Sequence, residues 1–271
     1  MIRVIAIDLD ETLIAPDRQI PDANRQALQA AQAAGARIVI VTARGWLRTQ
    51  DLYAELGLDT PVIVSSGSRI MDGQTGEELL VRHLPLGFAR EVVAFCERED
   101  IRVRVYMGNE MLNNREMNEM YNSPKNYGIY APNLLEDLVE APYQLFVYGT
   151  DPTNKIVERF GTEGEGYVCK VMQYYNRESE VMILHPQSDK GSALEVVCNQ
   201  WGVSPEEVLA LGDSKNDLPM LEWAGVGVAM SWSPDEVKHR ADWVTTPGNK
   251  AGVAEAIVKY VLQGRTHQQV I

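Results

Sequence analysis

The chain reads Val4-Ile-Ala-Ile-Asp-Leu-Asp10 near its start, a short apolar stretch that ends on two acids. A fully apolar run of four residues is typical of a buried parallel strand. Because Asp is disfavoured inside strands, two carboxylates at this point need a reason. The structural explanation is an Asx turn that leaves the strand. The chemical explanation is that Asp8 is a nucleophile and metal ligand, while Asp10 handles a leaving-group proton.

Short apolar runs alternate with amphipathic helical stretches toward both ends of the chain. This alternation predicts an α/β fold with a doubly wound, Rossmann-like parallel sheet and right-handed crossovers. Ligands bind such sheets at the carboxyl ends of the strands, so polar residues there are expected to converge. Besides residues 4–7, the spacing predicts strands at 38–41, 62–64, 208–211, 227–230 and 243–245, and helices at 22–34, 46–56, 189–201, 217–224, 234–240 and 251–262.

The middle of the chain has a different pattern and composition. The dipeptides Asp72-Gly73 and Thr75-Gly76 stand between apolar flanks and predict a hairpin. A helix at 88–98 and several strand-like runs follow, and nine of the eleven tyrosines lie between residues 83 and 185. We therefore predict an α+β domain at residues 83–184, inserted into a core formed by residues 1–82 and 185–271.

Two further strand ends carry residues that suit anion binding. Thr42 directly follows the second predicted strand, and Arg44 comes two residues later. A helix N-cap is the structural explanation for Thr42, and donation to a phosphoryl oxygen is the chemical one. Lys190 stands in the first turn of a predicted helix, where the helix dipole disfavours a cation. A solvated lysine tolerates this small cost, but a lysine that neutralises an anion beside the free N–H groups explains the placement better.

The last motif lies between a predicted strand and a predicted helix and reads Leu211-Gly-Asp-Ser-Lys-Asn-Asp217. An Asp N-cap at position 217 is the structural explanation. Asp213, Asn216 and Asp217 also place three carboxylate or carboxamide groups within five residues, which is the oxygen-rich donor set that Mg²⁺ prefers. The loop is therefore a candidate hard-cation site, and the N-cap explanation for Asp217 is compatible with it.

Composition limits the classes of protein that are possible. The 45% apolar and 23% charged residues are ordinary for a globular chain. With 25 Lys and Arg against 38 Asp and Glu, the net charge of −13 disfavours nucleic-acid and anionic-membrane partners. Cys96, Cys169 and Cys198 form no CxxC pair, which predicts buried reduced thiols. No apolar run approaches the ~20 residues that span a bilayer. We expect a cytoplasmic monomer or homodimer.

Together these motifs resemble those of the haloacid dehalogenase superfamily of phosphohydrolases, within its Cof-like sugar-phosphatase group. Asp10 and Thr42 are 32 positions apart, whereas Thr42 and Lys190 are 148 apart, so only the second gap accommodates a cap domain. This spacing resembles the subgroup whose cap follows the third core strand. The stretches that carry the resemblance are Ile5–Leu13, Val39–Arg44, Lys190–Leu194, Leu211–Leu218, Gly225–Met230 and Gly252–Ile257.

Three positions depart from the pattern of the family. Ala43 stands where a glycine is usual, Ser66-Gly67 replaces Asn-Gly, and Ser231-Trp-Ser233 replaces Gly-Asn-Ala. None of these changes removes a catalytic group. Ala43 bears on how closely the backbone approaches a bound phosphate, and the other two departures bear on the substrate.

The resemblance implies a Mg²⁺-dependent phosphatase that hydrolyses a small phosphorylated metabolite through an aspartyl-phosphate. Asp8 is then the nucleophile, and Asp10 protonates the leaving oxygen and later deprotonates water. The metal is held by Asp8, the backbone carbonyl of Asp10, and Asp213, while Asp217 orients Lys190 or a metal-bound water. The residues implied in phosphate or substrate binding are Thr42, Ala43, Arg44, Lys190 and Asn216.

The inserted domain is expected to select the substrate, which is a sugar phosphate or a phosphorylated cofactor such as pyridoxal phosphate or flavin mononucleotide. Candidate contacts are Lys125, Asn126 and Tyr127, with Arg44 on the core side. A phosphomutase and a non-catalytic phosphate-binding module are the alternatives. A receiver domain would need neither Asp10 nor a large insertion. A nicotinamide-binding oxidoreductase would need a G-x-G-x-x-G turn, which the stretch after residue 7 lacks.

Overall fold

A computed structural model describes residues 1–116, 128–172 and 178–263. Its strands are β1 (Val4–Ile7), β2 (Arg37–Ile40), β3 (Val62–Val64), β4 (Arg69–Met71), β5 (Glu78–Val81), β6 (Val103–Met107), β7 (Glu110–Asn113), β8 (Gly128–Tyr130), β9 (Gln144–Tyr148), β10 (Glu163–Gly164), β11 (Tyr167–Met172), β12 (Glu180–Leu184), β13 (Val208–Gly212), β14 (Val226–Ala229) and β15 (Trp243–Val244). Its helices are α1 (Asp22–Ala33), α2 (Gln50–Glu55), α3 (Leu86–Arg98), α4 (Leu134–Asp137), α5 (Thr150–Phe160), α6 (Lys190–Gln200), α7 (Leu218–Trp223), α8 (Asp235–Arg240) and α9 (Gly252–Ile257).

The chain divides into two compact units. The first comprises Met1–Leu80 together with Asp189–Ile271, and the second comprises Val81–Ser188. Within the described residues no helix is both long and apolar enough to cross a membrane. Cys96, Cys169 and Cys198 are buried free thiols, as their spacing predicts.

The first unit is built on a five-stranded parallel sheet with the order β15-β14-β13-β1-β2. Strand β1 is buried on both faces, because Ile5 and Ile7 pack into one apolar cluster while Val4 and Ala6 pack into another. A strand covered on both sides has a continuous apolar sequence, which explains the pattern at the start of the chain. The predicted α/β fold with a parallel sheet is confirmed.

The register of this sheet determines which loops meet. Ile7 at the end of β1 lies opposite Leu211 in β13 and Ile40 in β2. The residues that directly follow the three strands therefore leave the sheet at one edge. The polar residues that follow these strands at this edge are Asp8, Thr42 and Asp213.

A smaller sheet of three strands, in the order β3-β4-β5, comes after α2 in the sequence. Its β4–β5 connection is the predicted hairpin, closed by bonds from the Asp72 N–H to the Glu77 carbonyl at 2.8 Å and from the Gly76 N–H to the Asp72 carbonyl at 2.9 Å. A parallel bridge between Val41 and Ile63 joins this segment to the end of β2.

The second unit contains a seven-stranded sheet with the order β10-β11-β12-β9-β6-β7-β8. One face packs with α3 and α5 into an apolar core that includes Val105, Leu145 and Ile183. All pairings in it are antiparallel except that of β7 with β8. The unit is therefore of α+β type.

Some predicted elements differ from those observed. The helix predicted at 46–56 is a single 3₁₀ turn, Trp46–Arg48, followed by α2. The turn is tightened at Thr49, whose N–H bonds the Trp46 carbonyl at 2.8 Å and whose hydroxyl bonds the Gly45 carbonyl at 3.0 Å. Strands β7 and β8 were not predicted, because four and three residues are too few to show a period.

Candidate active site

A buried lysine joins two of the predicted acids. Helix α6 begins at Lys190, and its N-cap Asp189 accepts a bond from the Ser192 N–H at 2.7 Å. The Lys190 Nζ donates to Asp8 Oδ1 at 2.6 Å and also to Asp217 Oδ1. Because Lys190 is only 1% exposed, its charge is balanced by these carboxylates rather than by water.

Burial and mutual charge shift the protonation of this cluster. Burial raises the pKa of the Asp8 carboxyl to about 7, even though Lys190 acts in the opposite direction. Burial alone would lower the pKa of the Lys190 ammonium, but Asp217 and Asp8 outweigh it and the net shift is upward. Lys190 therefore stays charged, and it supports an ionised Asp8.

The loop after β13 holds Asp217 from several directions. Asp217 Oδ2 accepts bonds from the Ser214 N–H at 2.8 Å, the Ser214 hydroxyl at 2.7 Å and the Asp213 N–H at 3.2 Å. A Cβ at Gly212 would lie 2.4 Å from the Asp217 Cβ, so this tight loop requires glycine there. Asp217 has partners on both oxygens, which suits a residue that orients Lys190.

Three carboxylates of the cluster can share a metal ion. One oxygen from each of Asp8, Asp213 and Asp217 lies within 4.8 Å of the others. Burial and the neighbouring charges of Asp217 and Asp8 raise the pKa of the Asp213 carboxyl to about 8. Three acids face the ammonium of Lys190, and the raised pKa values of Asp8 and Asp213 reflect this crowding, which a divalent cation would relieve by favouring the ionised carboxylates.

Asp10 makes a different contact. Its carboxylate accepts two bonds from Arg44, one from Nε at 2.8 Å and one from Nη2 at 2.5 Å. The side chain of Asp10 is 59% exposed and that of Arg44 is 23% exposed. Partial burial would raise the pKa of the Asp10 carboxyl, but the hydrogen bonds and charge of Arg44 outweigh it and the pKa is lowered.

The remaining predicted residues lie on the loops after β2, β3 and β13. The buried Thr42 Oγ1 accepts a bond from the Arg44 N–H at 3.1 Å, which leaves the hydroxyl hydrogen available to a ligand oxygen. Ala43, between them, is exposed. Asn216 Nδ2 donates to the Ser66 hydroxyl at 3.1 Å, and the Ser66 N–H bonds the Thr42 carbonyl at 3.0 Å.

Comparison with known proteins decides the family. A family model described as haloacid dehalogenase-like hydrolase matches residues 5–257. The chain belongs to this family. The predicted family is confirmed, and the chain is an enzyme of the hydrolase class.

The chain is also similar to individual curated proteins and solved structures. Pyridoxal phosphate phosphatase YbhA of Escherichia coli is 28% identical, over 96% of this chain and 99% of its own length. The chloroplastic endoribonuclease YBEY of Arabidopsis thaliana is 29% identical over 94% of this chain, but the chain spans only 46% of that protein. A haloacid dehalogenase-like hydrolase from B. subtilis superimposes with a TM-score of 0.81 at 25% identity, covering 96% of this chain and all of the other.

Within this hydrolase fold, three contacts of the site were not predicted. Thr12 Oγ1 donates to Asp213 Oδ1 at 3.2 Å, Ser214 holds Asp217, and Trp232 Nε1 donates to the Glu11 carbonyl at 2.8 Å. Thr12 and Ser214 lie inside motifs that the sequence singles out, and Trp232 lies at a departure from the family pattern. Lys125, Asn126 and Tyr127, predicted as substrate contacts, lie outside the described residues.

Proposed function

We propose that this hydrolase is a Mg²⁺-dependent phosphatase that cleaves a small phosphomonoester through a phosphorylated Asp8. The contact of Lys190 with both Asp8 and Asp217, beside Asp213, supports this proposal most directly. It provides a buried carboxylate nucleophile, a fixed cation and an oxygen-rich metal site at one edge of a parallel sheet.

The donor set fits Mg²⁺, which prefers carboxylate and carbonyl oxygens. Asp8 and Asp213 would hold the ion together with the backbone carbonyl of Asp10, whereas both oxygens of Asp217 already have partners. A bound Mg²⁺ would neutralise charge so that an anionic carboxylate can approach an anionic phosphate.

Asp8 and Asp10 carry out the covalent steps. An oxygen of Asp8 attacks phosphorus in line, an acyl-phosphate bond forms, and the ester P–O bond breaks. Asp10 gives a proton to the departing alkoxide, so that an alcohol leaves. In the second step Asp10 takes a proton from water, which attacks the phosphorus and returns Asp8 as a free carboxylate with inorganic phosphate as product.

The other site residues bind and orient. Lys190 holds Asp8 in place and balances charge on the transferred phosphoryl group, and Asp217 fixes Lys190. The Thr42 hydroxyl hydrogen is available to a phosphoryl oxygen, and Arg44, with the backbone at Ala43, lies on the same loop. Asn216 adds a carboxamide that is fixed through Ser66.

The second unit, which we assign as the cap domain, is the source of substrate selectivity. The core supplies groups for phosphate and metal but few for the rest of a substrate. A sugar phosphate and a phosphorylated cofactor are the substrate classes we propose, and the similarity to an enzyme named for pyridoxal phosphate supports the second. Lys125, Asn126 and Tyr127 remain predicted contacts.

Phosphate release across a panel of sugar phosphates, nucleotides and phosphorylated cofactors tests the proposal. We expect release from at least one compound with Mg²⁺ and none after chelation. The Asp8→Asn variant is expected to lose at least about 10³-fold in kcat, because its amide cannot act as the nucleophile. Substantial activity of a clean Asp8→Asn preparation, or release that is independent of metal, contradicts the proposal.

A further inference from the structure

Glu11, the residue after Asp10, has an unusual backbone conformation. Its φ is +60°, in the left-handed region that residues with a Cβ rarely occupy. Such a conformation persists only where surrounding contacts hold it. Glu11 is exposed, and within the described parts of the chain its side chain makes no hydrogen bond or ion pair. Besides the hydrogen bonds within its own loop, a contact to the Glu11 backbone can therefore hold this conformation.

The Trp232 indole makes this contact. Its Nε1 donates to the Glu11 carbonyl at 2.8 Å across 221 positions of sequence. The ring packs against the apolar cluster that contains Ile5 and Ile7. The indole is therefore fixed by packing and not only by its hydrogen bond.

The turn that carries Trp232 is itself well anchored. The Met230 N–H bonds the Gly212 carbonyl at 3.1 Å, and the Ser231 N–H bonds the Thr245 hydroxyl at 2.9 Å. The Ser233 N–H closes the turn on the Met230 carbonyl at 3.0 Å. Gly212 directly precedes Asp213, so the indole and the candidate metal ligand are positioned from the same strand end.

The Glu11 carbonyl lies at the centre of the loop that carries both acids. The Leu13 N–H bonds the Asp8 carbonyl at 3.2 Å, and the Thr12 hydroxyl bonds Asp213 at 3.2 Å. Asp10 and Thr12 flank Glu11 in the sequence, so a change in the backbone dihedrals of Glu11 would move Asp10 relative to Thr12, which is anchored to Asp213. We infer that Trp232 is a positioning residue that holds Asp10 in place for proton transfer through its bond to the Glu11 carbonyl, an inference that rests on the proposed phosphatase function.

Leaving-group dependence tests this role. p-Nitrophenolate leaves without a proton, whereas an alkoxide needs one, so displacement of Asp10 slows the phosphorylation of Asp8 by an alkyl phosphomonoester far more than by p-nitrophenyl phosphate. Hydrolysis of the aspartyl-phosphate is the same step for both substrates. Trp232→Phe keeps a ring and removes the N–H donor. We expect it to lower kcat/KM, which reports the steps up to departure of the alcohol, about 10-fold on the best alkyl substrate of the panel and less than about threefold on p-nitrophenyl phosphate.

Glu11→Gly provides the rescue variant. Glycine adopts a positive φ without steric cost, so the loop no longer needs the indole bond. We expect Glu11→Gly alone to retain activity within about threefold, and the double variant Glu11→Gly/Trp232→Phe to recover most of the alkyl-phosphatase activity. Trp223→Phe is the matched control, because the partly buried Trp223 packs against the apolar cluster that contains Val4 and Ala6, on the other face of the sheet from the cluster that Trp232 contacts. It should leave the ratio of the two activities unchanged.

Three results would overturn the inference: an equal loss on both substrates, no loss at all, or a loss that Glu11→Gly does not recover. If the wild-type protein releases no phosphate from any compound, the proposed function fails instead. The positioning contact is then judged from thermal unfolding. Trp232→Phe must lower Tm more when residue 11 is Glu than when it is Gly, and an equal decrease in both backgrounds rejects it.

Discussion

Two acid–cation contacts lie two residues apart in the first unit and differ in their surroundings. The side chains of Asp8 and Lys190 are 7% and 2% exposed, whereas those of Asp10 and Arg44 are 59% and 23% exposed. Burial raises the pKa of the Asp8 carboxyl, and Arg44 lowers that of Asp10. The same type of ion pair is therefore placed once inside the protein and once at its surface.

This difference matches the two tasks we propose. A nucleophile has to be held in one orientation, and a buried pair is strong because water does not compete for it. A proton carrier has to exchange protons with solvent and substrate, which an exposed side chain can do. The bidentate contact with Arg44 uses one lone pair on each oxygen of Asp10 and favours the ionised carboxylate, so weakening of this contact favours the protonated form that gives a proton to a leaving group.

The largest expected effect comes from replacing Asp10, the acid of the exposed contact, while the buried Asp8–Lys190 contact is left intact. Asp10→Asn is expected to slow turnover of an alkyl phosphomonoester by about 10²–10⁴-fold, because a general acid and base is lost. The buried contact remains, so Asp8 should still become phosphorylated. Acid quenching followed by mass spectrometry measures this label, and Asp8→Asn is the control that cannot carry it. A folded Asp10→Asn protein without label contradicts the proposed division of roles.

Loss of the buried cation should destabilise the protein more than loss of an exposed one. Lys190→Met leaves Asp8 and Asp217 without their counter-charge, and we expect the free energy of unfolding to fall by about 3–5 kcal/mol. Urea unfolding at pH 8 in metal-free buffer measures this. Lys250→Met is the control, since Lys250 is 63% exposed in its pair with Asp17. Equal effects of the two variants would show that burial gives Lys190 no special importance.

Loss of the exposed cation should have the smallest effect and a clear pH dependence. Arg44→Ala is expected to lower the free energy of unfolding by at most about 1 kcal/mol at pH 7. The pKa of Asp10 in the folded state lies below its ordinary value, so this stabilisation is present above pH ~4 and is lost as the pH falls further.

The difference in Tm between the wild type and Arg44→Ala should therefore be largest at pH 7 and should shrink as the pH falls below about 4. Arg37→Ala serves as the control, since the exposed Arg37 lies over the Trp201 ring, and its contribution to stability should not change between pH 7 and pH 3. A difference between wild type and Arg44→Ala that persists unchanged at pH 3 is incompatible with a contribution from the ionised Asp10.

The sequence located the strands that carry the site to within one residue at β1 and β13, because strands buried on both faces are continuous apolar runs. The sequence did not predict β7 and β8, at one edge of the seven-stranded sheet, because these strands are too short to show a period. It also extended one helix across Thr49, where local hydrogen bonds tighten the chain into a 3₁₀ turn.

The order of the motifs along the chain was enough to indicate the family and the edge of the sheet where the polar groups gather. Apolar periodicity records which segments are buried, and a parallel sheet brings the carboxyl ends of its strands together regardless of the loops between them. Only the tertiary structure decided which acid pairs with which cation, and that Trp232 contacts Glu11. These contacts join residues that are about 200 positions apart in the sequence, and they depend on side-chain rotamers and loop conformations. No local pattern of residues specifies such contacts.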